Sequence, residues 1–136
     1  MKIILFVACL LLSGIQCKAQ SLVDLSKDEV KLVVKINHKK FSPDKRIVKQ
    51  QFNYLKFINR HETITLIVYF SKNDISISSK LVCDYTEKDF VLNDLNQKYK
   101  RVDEKNWEYE KNGIFYNVEM KDLEWYFTVK EKKKII

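Results

Sequence analysis

The chain has 136 residues, with 25 lysines and arginines against 18 acidic residues, a formal net charge of +7, two glycines, one proline and three cysteines. That length suits one domain with its own core rather than two, and no Pro-rich or Gly/Ser-rich linker strings modules together. Histidines and cysteines lie far apart and off any zinc spacing, and no basic stripe marks the body of the chain, which argues against a metal centre or a nucleic-acid surface.

Residues 1–19, MKIILFVACLLLSGIQCKA, read as a cleaved export signal. Lys2 precedes an apolar run from Ile3 to Leu12, and Cys17 and Ala19 are small side chains at the third-last and last positions. The run is shorter than the roughly 20 residues that span a bilayer. Cleavage would remove Lys2 and Lys18 together with Cys9 and Cys17, leaving Cys83 without an intramolecular disulfide partner. The alternative is a lipoprotein leader acylated at Cys17, which Gln16 just before it disfavours. The expected location is therefore periplasmic or secreted. Residues 20–129 are expected to form a single α+β domain, and residues 130–136, with Lys130, Lys132, Lys133 and Lys134, a solvated basic tail.

Ser26 and Glu29 make a capping box, and Val30, Val33 and Val34 follow at helical spacing, so a helix opens at Ser26. Three strands come next. A loop at 59–62 would set Phe57 opposite Ile64 and Leu55 opposite Leu66, and a loop at 71–74 would set Phe70 opposite Ile75, Val68 opposite Ile77 and Ile64 opposite Leu81. Side chains alternate with period two, so these apolar residues share one face. A second helix starts with Thr86 as its N-cap and carries Val91, Leu92, Leu95 and Tyr99 on one side.

Asn112-Gly113 then suits a two-residue hairpin that demands positive φ at both positions. It pairs Lys111 with Ile114, Tyr109 with Tyr116 and Trp107 with Val118. A second tight turn at Lys121-Asp122 would set Val118 opposite Trp125, Tyr116 opposite Phe127 and Ile114 opposite Val129. It would also face Glu119 with Glu124, a like-charge pair that argues for a looser turn. The predicted fold is a tandem helix plus three-stranded antiparallel meander, αβββαβββ, in two layers. In element order, Ser26 to Lys130 resembles the tandem helix-plus-meander modules of small exported inhibitor-like and peptidase-propeptide-like proteins of Gram-negative bacteria. The likeness implies no site residues.

Cys83 could act as a nucleophile if folding brought His61 beside it, but it shares the parity of Ile75, Ile77 and Leu81 and is expected to be a buried thiol. His61 sits in a polar loop, and His38 at a Lys-rich helix end where positive side chains offset the carbonyl dipole. The carboxylate pairs Asp103 with Glu104 and Glu108 with Glu110 read as solvated. No catalytic residue, cofactor or metal is therefore assigned. The opposite strand faces are more telling, because Phe52, Tyr54, Ile67 and Tyr69 in the first meander, and Phe115 and Tyr126 in the second, fall where a wet sheet should be polar. Those six are the candidate binding residues. The expected function is non-catalytic binding of another protein in the envelope or outside the cell, as an inhibitor, immunity or envelope-accessory factor. The alternatives are a small secreted hydrolase with an unrecognised site and a surface-associated protein held by its Lys-rich tail, Lys130, Lys132, Lys133 and Lys134, which could also contact a membrane.

Overall fold

The computed structural model describes residues 21–46 and 52–135. The export signal and the Cys17 alternative lie outside the described residues. The element order is α1 (Lys27–Asn37), β1 (Phe41–Pro43), β2 (Tyr54–Asn59), β3 (Ile64–Phe70), β4 (Ser76–Cys83), a short 3-10 turn (Tyr85–Glu87), α2 (Lys88–Lys98), β5 (Lys100–Asp103), β6 (Asn106–Lys111), β7 (Ile114–Asp122) and β8 (Phe127–Lys133). All the strands join in one antiparallel sheet of eight, in the order β1-β2-β3-β4-β8-β7-β6-β5. Each helix thus leads into four strands, and the last strand of each unit pairs with the other at the sheet centre.

The α+β class and the antiparallel pairing hold, while the αβββαβββ, two-layer arrangement is corrected to a single continuous eight-stranded sheet. The two missed strands are its edges. Strand β1 is three residues long and ends at Pro43, and β5 is exposed along its whole length, so neither carries the alternation that betrays a half-buried strand.

Both helices are held by local chemistry and by one buried face. Ser26 Oγ accepts from Glu29 N at 3.2 Å and Glu29 Oε1 accepts from Ser26 N at 3.3 Å, which completes the capping box of α1. The start of α2 differs from expectation. Asp84, not Thr86, is the cap: its carboxylate accepts from Thr86 N at 2.9 Å and opens the 3-10 turn that feeds the helix. Val30, Val33 and Val34 of α1 and Val91 and Leu95 of α2 join Phe57, Leu66, Val68, Trp107, Val118 and Phe127 in one core. Trp107 and Phe127 are almost wholly buried, and burying each contributes on the order of 3 kcal/mol. Trp107 Nε1 donates to Asn96 Oδ1 at 2.9 Å, tying β6 to α2.

The strand registers separate what a tight turn dictates from what it does not. In the Asn112-Gly113 hairpin both central residues have positive φ, +52° and +76°, and the pairs Tyr109–Tyr116 and Trp107–Val118 are as expected. The β2–β3 loop is shifted by one residue, so Phe57 faces Leu66 and Leu55 faces Val68. The Asn59 side chain decides this by accepting from Thr63 N at 2.9 Å and Ile64 N at 3.0 Å. An irregularity between Tyr69 and Phe70 leaves Ile77 outside the pairing and 54% exposed, and Ile75 is exposed as well, against the expectation that both face the core.

The largest correction is between β7 and β8. A four-residue connection, 123–126, replaces the tight turn, so Met120 faces Val129, Val118 faces Glu131 and Glu119 faces Lys130. Trp125, expected opposite Val118, is 79% exposed in that connection. The like-charge clash disappears. The expected solvated tail is corrected too: Lys130, Lys132 and Lys133 belong to β8, and Lys133 Nζ lies 3.0 Å from Asp24.

Candidate binding face of the sheet

Alternation puts one set of side chains from β2, β3, β4, β8 and β7 on the side of the sheet opposite the core residues Leu66, Val68, Val118 and Val129. Three rows cross this open face. The first runs Tyr54, Tyr69, Ser78, Lys132, Asn117, Glu108; the second Lys56, Ile67, Lys80, Lys130, Glu119; the third Ile58, Thr65, Val82, Thr128, Lys121. Chemistry changes along the rows. Tyrosines and branched apolar residues, with Lys56, occupy β2 and β3; Lys80, Lys130 and Lys132 the centre; and Glu119 and Glu108, with Asn117 and Lys121, β7 and β6.

The tyrosines Tyr54 and Tyr69 are direct cross-strand partners with ring centroids 6.5 Å apart and planes tilted by 53°. Ile67 lies next to them in the second row. All three are partly covered rather than fully open, and Phe52, two residues before Tyr54, is 62% exposed. The other two expected residues are elsewhere. Phe115 on β7 is four strands from β2, ~19 Å at the usual strand spacing, and Tyr126 is in the β7–β8 connection, each 40% exposed. The sheet therefore gathers Tyr54, Ile67 and Tyr69, with Phe52 adjoining, and separates Phe115 and Tyr126 from them.

Beside the tyrosines stands a feature that the sequence reading missed. Lys80 and Lys130 are paired directly across β4 and β8, and Lys132 lies diagonally from Lys80. Like charges at that separation destabilise a sheet. Among the described residues no carboxylate is within ion-pair distance of Lys80, Lys130 or Lys132, whereas Lys56 Nζ has Asp44 at 3.5 Å. The overlooked signal was period two within Thr128-Val129-Lys130-Glu131-Lys132, which sends both lysines to one face and Glu131 to the other.

The catalytic candidates do not assemble. Cys83 is wholly buried, and burial pushes its thiol up to about 12, which makes it a core hydrophobe rather than a nucleophile. His61 is exposed in the β2–β3 loop while Cys83 is wholly buried. His38 caps the C-terminal end of α1, as expected, and burial first, then Lys98 and Lys40, hold its imidazole below the ordinary value. Asp103 accepts from Lys105 N at 2.9 Å and from Asn106 Nδ2, a turn-holding role, and Glu108 Oε2 has Lys134 at 3.4 Å. No group of metal-ligating side chains occurs among the described residues.

Glu131 is the unusual ionisable group. Ser21 Oγ donates to its Oε1 at 2.7 Å and the Tyr109 hydroxyl donates to the same atom. Burial raises its pKa against the pull of those two donors. Tyr109 is stacked between Tyr99 and Tyr116, with centroids 4.7 and 4.9 Å away, and its own pKa is raised by burial and by Glu131. Comparison with family models, curated proteins and solved structures returns no match.

Proposed function

We propose that the chain is a small exported, non-catalytic binding protein that receives an acidic protein partner on the open face of its sheet, outside the cell or in the periplasm. The observation that carries this is the juxtaposition of Tyr54, Ile67 and Tyr69 with Lys80, Lys130 and Lys132, three cations in no ion pair among the described residues, of which only Lys130 has a carboxylate, Glu119, as a cross-strand neighbour. Aromatic side chains contribute large contact area at low entropic cost, and unneutralised lysines steer an acidic surface into register. The partner would bring carboxylates to the sheet centre and apolar groups to β2 and β3. An inhibitor, immunity or envelope-accessory role fits such a surface equally.

The hydrolase reading finds no support in a buried Cys83 thiol, and the surface-association reading would rest on Lys130, Lys132 and Lys133 as exposed strand residues rather than on a free tail. The test is capture from the native envelope or secreted fraction with wild type, with Tyr54→Ser/Tyr69→Ser and with Lys80→Glu. Wild type should retain an acidic protein, and both variants should lose at least tenfold of it while keeping the wild-type circular dichroism. Undiminished capture by the folded tyrosine variant would remove this face from consideration.

A further inference from the structure

On the other side of the sheet, between strands and helices, lies a cavity of about 280 Å³. Its floor is the sheet: Leu66, Leu81, Val118 and Val129, with Ser79 and Glu131. Its roof is the inner face of α2 together with the chain that follows α1. The sheet side of the wall is apolar and largely buried, while Asn37, Lys40, Lys98 and the 57% exposed ring of Phe90 are solvent-exposed at the mouth, with His38 and Asp94 half-buried. It is a cleft open to solvent on the side of Asn37, Lys40, Phe90 and Lys98 and apolar towards the sheet, the form of a small-molecule site. At about 30 Å³ per water-sized group it holds ~9 heavy atoms.

We propose that this cavity is a ligand site for a small anionic amphiphile, a carboxylate with an apolar body of about that size, bound tail inward with its head at the lysine mouth. Charge decides the orientation and the sign. At the mouth Lys40 Nζ stands 4.7 Å from the Phe90 ring centroid and 5.4 Å from that of Phe41, with no carboxylate beside it among the described residues. Lys98 Nζ lies 2.8 Å from Asp94, so Lys40 is left as the unpaired charge at the mouth. A cationic head would meet repulsion on entry. An anionic head cannot sit on the floor, where Glu131 already places a carboxyl group, so the floor receives the tail.

The probes are octanoate, octylamine and octanol, titrated into the purified protein by calorimetry and followed by methyl NMR. Octanoate should bind at least tenfold more tightly than octylamine, with the largest shifts at Leu66, Leu81 and Val129. Lys40→Met, which keeps the cover over Phe41 and Phe90 but removes the charge, should weaken octanoate at least fivefold and leave octanol unchanged. Leu81→Trp, which fills the void, should abolish binding of all three; should it fail to fold, the Lys40→Met contrast decides alone. Equal affinity for octylamine, shifts confined to Tyr54 and Tyr69, or no binding of any probe up to its solubility would overturn the proposal. Loss of acidic-protein capture on the opposite face would leave it intact.

Discussion

Reversing the charge of Lys80 should stabilise the protein, and the reasoning can be followed from the sheet register. In the wild type Lys80 faces Lys130 directly and Lys132 diagonally, with no ion pair to any of the three among the described residues. A like-charge cross-strand pair is unfavourable and an opposite-charge pair favourable, each by a few tenths to 1 kcal/mol. Lys80→Glu exchanges the first for the second, a gain of about 1 kcal/mol before allowance for screening. A protein of this size loses about 2 kcal/mol of stability per molar urea, so the unfolding midpoint should rise by about 0.5 M in low salt. In 1 M salt, where the screening length falls to about 3 Å, most of the gain should vanish. A midpoint that falls, or a rise of the same size at both salt concentrations, would show that the lysines are not repelling one another and would remove the electrostatic basis for an acidic partner. If the gain appears together with lost capture, the wild-type lysines are held at a cost to folding, the signature expected of a surface kept for binding.

The Glu131 pKa is raised above its ordinary 4.5, so its contribution to stability is whole below that value and is lost as pH rises through the folded-state pKa. Glu131→Gln keeps an acceptor for Ser21 and Tyr109 yet cannot ionise, so its stability relative to wild type should grow from pH 4 to pH 8, by about 1.4 kcal/mol per unit of upward shift. A difference that is flat across that range in urea unfolding would mean that the carboxyl is not buried as described. Gly113 has φ +76° with open space where a Cβ would stand, so Gly113→Ala meets only backbone strain and should cost about 1 kcal/mol. Calorimetry should record this as a melting temperature lower by about 4 °C; an unchanged temperature would show that the hairpin does not need the left-handed conformation.

How far the fold was legible depended on how local the deciding interaction was. The α1 capping box is set within four residues, Ser26 to Glu29, and the Asn112-Gly113 hairpin within two, so both were readable along with the pairs that the hairpin imposes. Loops of four residues do not impose a register. At β2–β3 the Asn59 side chain moved the pairing, and at β7–β8 the alignment was settled by placing Val129 and Phe127 in the core. Three candidate residues that share neighbouring strands, Tyr54, Ile67 and Tyr69, were legible as a group, since one hairpin relates them. The lysines beside them were not, because Lys80 meets Lys130 only through the β4–β8 pairing, made by residues fifty positions apart.

Alternation and turn chemistry along the chain determined that this protein is α+β, which faces of its hairpins are greasy, and that Cys83 is a core residue. Only the tertiary structure decided that the two units share one sheet, that a run of lysines is a strand rather than a tail, and that a cavity remains beneath α2. The reason is physical. Backbone conformation and side-chain parity are set by near neighbours, whereas strand order, the meeting of like charges and the leftover volume of a core depend on surfaces brought together from distant parts of the chain.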